Sequence, residues 1–61
     1  MTYERYREIV VHQVAEATGW SIAQADNTVG DIHDMMDEED LTPDEAAREI
    51  LLVVCEDAEP L

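Results

Sequence analysis

The chain has 61 residues, and its 16 acidic side chains face three arginines and no lysine, for a formal net charge of −13. Such a surface repels nucleic acid and anionic membranes at long range and attracts basic proteins, which argues against direct DNA binding. Cys55 is the only cysteine, so no disulfide can form within the chain, and the expected setting is reducing and intracellular.

A domain this small buries only about 60% of the surface its unfolded form exposes. Yet 46% of the residues are hydrophobic, too many for a disordered acidic segment, and a single folded domain over residues 1–61 is expected. No apolar run approaches the roughly 20 residues that span a bilayer. The start "MTYERYREIV" lacks the apolar segment of a signal peptide. A cytoplasmic protein without a membrane partner is the expectation.

Three helices are predicted, and the fold class is therefore all-α, a compact three-helix domain. The first covers about residues 3–18, with Tyr3, Tyr6, Val10, Val14 and Ala17 on one stripe. Arg5, Glu8, His12 and Glu16 lie opposite, and Gly19 is placed to end the helix in a left-handed cap. The second covers about 22–38. It starts at a Ser21–Gln24 capping box, with Trp20 and Ala25 as a staple. Ile22, Ala25, Val29, Ile32 and Met36 share its apolar face, while Asp26, Asp31, Asp34, Asp37 and Glu38 spread over the other side. Gly30 is expected to weaken its middle by about 1 kcal/mol.

The third helix covers about 43–57. Thr42 is its N-cap, Pro43 its first residue and Glu45 the reciprocal member of a capping box, with Leu41 and Ala46 as a staple. Asp44 and Glu45 sit at the positive end of its dipole. Ala46, Ala47, Ile50, Leu51, Val53 and Val54 give it a wide apolar surface, and Leu52 falls on the far side with Arg48 and Glu56. A helix apolar nearly all round is central to its fold or covered by another chain. Residues 58–61 are expected to fray.

"DMMDEEDLTPDE", from Asp34 to Glu45, packs seven carboxylates into twelve residues with no basic residue among them. A calcium-binding EF-hand loop needs oxygen ligands at positions 1, 3, 5 and 12 and a glycine at 6. From Asp31, position 3 is His33 and position 5 is Met35; from Asp37, position 12 is Arg48. No register works. His33 and Asp37 are four apart, which places them side by side on a continuous second helix with Asp26 on the same edge. Zinc would need further convergent ligands, so no metal and no cofactor is expected.

No catalytic residues emerge either. Cys55 is followed by Glu56 and Asp57, whose charges raise a thiol pKa and disfavour the reactive thiolate. There is no glycine-rich phosphate loop, and so short a chain builds no cleft around its carboxylates. An enzyme is not expected.

"VVHQVAEATGWSIAQADNTV" resembles a helix-turn-helix, with Ala15 at the tight helix contact, Gly19 at the turn and Trp20 after it. It departs from that pattern at Thr28, the position that normally packs near the end of the second helix, and at Ala25, which is small where a larger aliphatic is usual. The segment that would be the recognition helix carries Gln24 and Asn27 but no lysine or arginine to fix register on phosphates.

Inverted electrostatics point to a mimic of nucleic acid. Asp26, Asp31, Asp34, Asp37, Glu38, Glu39 and Asp40 form the candidate partner-binding face, directed at a basic protein that itself binds nucleic acid. By size and charge the chain resembles small acidic phage-encoded inhibitors of host defence, anti-CRISPR proteins among them. That resemblance implies a non-enzymatic inhibitor working in the host cytoplasm and assigns no residue roles. One alternative is a homodimeric assembly domain joined through Leu51, Leu52 and Val53, whose acidity reflects a high-salt organism. Another is a degenerate helix-turn-helix regulator.

Overall fold

The computed structural model describes residues 1–57, with side chains as far as Val54. The expected fraying of residues 58–61, and the surroundings of Cys55, lie outside what is described. The described chain is all helical: α1 (Tyr3–Thr18), α2 (Ile22–Val29), α3 (His33–Asp37) and α4 (Pro43–Asp57).

Four ends obey local chemistry. The Thr2 hydroxyl accepts from the Arg5 N–H at the start of α1. Gly19 closes that helix with φ 82°, and its N–H donates to the Ala15 carbonyl at 2.8 Å. At α4 the capping box closes both ways: Glu45 N–H donates to Thr42 Oγ1 at 3.2 Å, and Thr42 N–H donates to Glu45 Oε1 at 3.1 Å. Ser21 caps α2 by accepting from Gln24 N–H.

The continuous second helix predicted over 22–38 does not form. It breaks at Gly30, with φ 63° and ψ −144°, and resumes as the five-residue α3. Side chains of α1 take over the backbone groups that the break releases. Arg7 Nε donates to the Gly30 carbonyl at 2.7 Å, and Arg7 Nη2 donates to the Asp26 carbonyl at 3.0 Å. Ile32 N–H donates to the Tyr3 hydroxyl at 3.0 Å. A helix interrupted in the interior of a domain must find such partners for its freed donors and acceptors. Arg7 and Tyr3 are those partners.

One core serves all four elements. Val10 and Val14 of α1 are completely buried, and around them pack Ala25, Val29, Ile32, Ala46 and Ala47. Two consecutive alanines on α4, both essentially buried, let its backbone approach α1 closely. Because α1 packs against α2, α3 and α4, its buried stripe is wider than the predicted one and turned toward Val11 and Ala15. Ala17, expected on the stripe, is exposed. Ile22, the first residue of α2, and Val53 of α4 belong to the expected apolar faces, yet both stand exposed.

Tyr6 joins the core to the turn before α4, its hydroxyl donating to the Leu41 carbonyl at 2.7 Å. Burial, reinforced by the carboxylates of Glu45, Asp40 and Glu39, pushes its pKa above the ordinary tyrosine value. The folded state therefore holds this proton more tightly than the unfolded chain, and the resulting stability is lost as pH rises through the alkaline range. Tyr6→Phe should cost about 1 kcal/mol at neutral pH, the worth of one hydrogen bond whose acceptor is left unpaired. Urea unfolding at neutral and alkaline pH checks this: the gap between variant and wild type should narrow as the wild-type phenol ionises.

Candidate acidic interface

The seven carboxylates expected to form one face fall into three environments. Asp26, on α2, is tied up internally. Its Oδ1 accepts from Arg7 Nη1 at the same point where Arg7 holds the Asp26 and Gly30 carbonyls. This forked contact raises the Arg7 pKa, the Asp26 hydrogen bond being the main cause. Two of its three acceptors are main-chain carbonyls near the end of α2, where a cation also meets the negative end of the helix dipole. Asp26 is therefore paired within the fold, although its side chain is 54% exposed.

Asp31 lies in the link between α2 and α3 and is also engaged. Its Oδ1 accepts from the Tyr3 hydroxyl at 3.1 Å, from His33 N–H at 3.1 Å, and stands 2.9 Å from His33 Nδ1. These contacts, the His33 backbone N–H first, hold its carboxyl below the usual aspartate range. The His33 ring stacks on Tyr3 with centroids 3.6 Å apart and planes 14° from parallel. The predicted neighbour of His33 was Asp37. Both residues lie on α3, four apart, but the His33 ring is taken up by Asp31 and Tyr3, so the pairing with Asp37 is not made. Among the described residues no group of three or more His, Cys, Asp or Glu side chains converges to hold a metal ion.

The remaining five, Asp34, Asp37, Glu38, Glu39 and Asp40, are all exposed, and none makes a salt bridge among the described residues. They occupy α3 and the turn that closes it. That turn has a defined backbone: Glu38 N–H and Glu39 N–H both donate to the Asp34 carbonyl, at 2.8 and 3.0 Å, and Leu41 N–H donates to Met35 at 2.9 Å. Asp40 adopts φ 54°, the left-handed region that aspartate enters more readily than most residues. The regular row of acids along one long helix thus does not exist. In its place stands a short acidic ridge on a hydrogen-bonded turn.

The residues expected at a self-association seam also divide. Leu51 is half-buried against the core, while Leu52 and Val53 are 59% and 62% exposed. Sequence reasoning missed the roles of Arg7 and Tyr3. A signal for them was present: Tyr3, Tyr6 and Arg7 fall within one turn at the start of α1, three long side chains with polar tips beside an apolar stripe. Such tips, once partly buried, must find hydrogen-bond partners. Among the described residues no helix is long and apolar enough to cross a membrane. Compared with known proteins, the chain matches no family model, no curated protein and no solved structure.

Proposed function

We propose that the protein is a non-enzymatic binding domain that occupies the basic nucleic-acid-binding surface of a partner protein, as an inhibitor of the DNA-mimic or anti-CRISPR kind. The observation that carries this reading is the ridge itself. Five exposed carboxylates, Asp34, Asp37, Glu38, Glu39 and Asp40, stand on a defined turn with no salt bridge among the described residues. Asp26 and Asp31, by contrast, are hydrogen-bonded to side chains of α1. A fixed array of like charges meets lysines and arginines with little ordering cost, and its field steers association.

Gly19 closes α1 on the Ala15 carbonyl just before α2, but α2 carries no basic side chain, which disfavours a DNA-binding regulator. Self-association through α4 is a second reading, supported by the exposure of Leu52 and Val53. It predicts a dimer in sedimentation that Leu52→Glu dissolves with little dependence on salt.

The test of the main reading is a tagged pull-down from lysate, eluted in rising salt or with added duplex DNA or RNA. Nucleic acid should release the captured partner, and the combined variant Asp34→Asn, Asp37→Asn, Glu38→Gln should fold normally but capture at least tenfold less. Capture that survives these substitutions, or that nucleic acid does not compete away, would sink it.

A further inference from the structure

Next to the acidic ridge lies a groove of about 350 Å³ where α2, α3 and α4 meet, lined by Thr28, Met35, Glu49, Ile50, Val53 and Val54. Its walls are mainly aliphatic, and Val53 stands 62% exposed at its edge. Acids flank it. On the α4 side Glu49 is part of the lining. On the α3 side Glu38 follows Met35 by three residues in continuing helical conformation, so the two share a face.

The other large grooves differ in one respect that selects the ligand. The one between α1 and α4 contains Arg48, and those beside α1 contain Arg7 with His12, or Arg5 with His12. The groove at Met35 has no basic residue in its lining.

We infer that this groove docks an amphipathic, basic helix of the partner protein, with aliphatic side chains against Met35, Ile50, Val53 and Val54 and lysines or arginines meeting Glu38 and Glu49. The inference rests on the acidic-ridge reading and deepens it. The ridge attracts a basic surface without choosing among such surfaces, whereas the apolar floor selects one that offers aliphatic anchors between its charges. Helix-in-groove recognition works through anchors spaced by three and four residues. Charge complementarity also argues against a second copy of the chain in this place, since each copy carries −13 and the groove offers no basic residue to meet it.

The probe is a lysine–leucine peptide of roughly four helical turns with its leucines on one face. Two controls accompany it: the same composition with the leucines scattered around the helix, and a glutamate–leucine version. Binding is followed by amide chemical shifts in the labelled protein near physiological salt. The one-faced basic peptide should shift Thr28, Met35, Glu49, Ile50, Val53 and Val54, and bind at least tenfold more tightly than the scattered one. The glutamate peptide should not bind.

Val53→Glu separates the two contributions, because it adds negative charge while spoiling the apolar wall. Docking in the groove predicts at least tenfold weaker binding. Attraction by charge alone predicts equal or tighter binding. Leu52→Glu adds the same charge outside the lining and should leave affinity unchanged.

Equal binding of the two lysine peptides, with shifts confined to residues 34–40, overturns the groove and leaves the ridge reading standing. No binding of either lysine peptide, or self-association at the groove in sedimentation, also overturns the groove. The ridge reading is judged separately, by the carboxylate substitutions and nucleic-acid competition.

Discussion

Gly30→Ala is expected to destabilise the protein by about 2–3 kcal/mol, the cost of forcing a side chain into a backbone region that essentially only glycine occupies. Gly30 has φ 63° and ψ −144°, far from the left-handed helical well, and no heavy atom lies within 4 Å of where a Cβ would stand. The penalty is therefore conformational and not steric crowding by neighbours. For a domain of this size each kcal/mol lowers the melting temperature by about 4–8 °C, so a drop above about 8 °C should be seen.

Gly19 supplies the contrast. Its φ 82° and ψ 9° are close to the left-handed well that asparagine also enters. Gly19→Asn should then be nearly neutral, while Gly30→Asn should be nearly as damaging as Gly30→Ala. Thermal unfolding of the three variants decides the matter, and equal tolerance of asparagine at both positions would mean that the break after α2 is not imposed by backbone geometry.

Arg7→Met is expected to cost about 2 kcal/mol, because hydrogen bonds from a charged donor are worth about 1.5–3 kcal/mol and their partners here are left wanting. Methionine keeps the apolar stem and removes only the fork, which donates to the Gly30 carbonyl, the Asp26 carbonyl and the Asp26 carboxylate. With its side chain only 26% exposed, Arg7 is shielded enough for these bonds to matter. Arg7→Lys should recover only part of the loss, since an ammonium cannot span the acceptors as a planar guanidinium does. Asp26→Asn should cost no more than about 0.5 kcal/mol, as its carboxylate is 54% exposed and the two main-chain acceptors remain.

Because Arg7 grips the carbonyl of Gly30 itself, the two sites should not be independent. Combining Arg7→Met with Gly30→Ala should cost less than the sum of the single losses, as contacting residues do in a double-mutant cycle. Urea unfolding of the set checks all of this. Strict additivity would place the fork outside the mechanism that holds the break together.

What could be read from the chain alone follows local rules. The ends of α1 and α4 are written in Thr42, Pro43, Glu45 and Gly19, whose capping needs no distant partner. The apolar spacing of Val10 and Val14 and of Ala46 and Ala47 marks the contacting faces of those two helices. The charge, with no lysine and three arginines, argues against direct nucleic-acid binding before any contact is known.

The middle of the chain was beyond such rules. Over residues 22–38 the periodicity fits one helix, and an internal glycine costs a helix only about 1 kcal/mol. The tertiary structure decided otherwise, because Arg7 and Tyr3, more than twenty residues earlier, accept the load of the interrupted backbone. That same break sorted the acids: Asp26 and Asp31 are hydrogen-bonded to side chains of α1, while Asp34 through Asp40 make no salt bridge among the described residues and stand as a ridge beside the groove. Helix ends are decided by neighbours in sequence. Which carboxylates remain available to a partner is decided by neighbours in space.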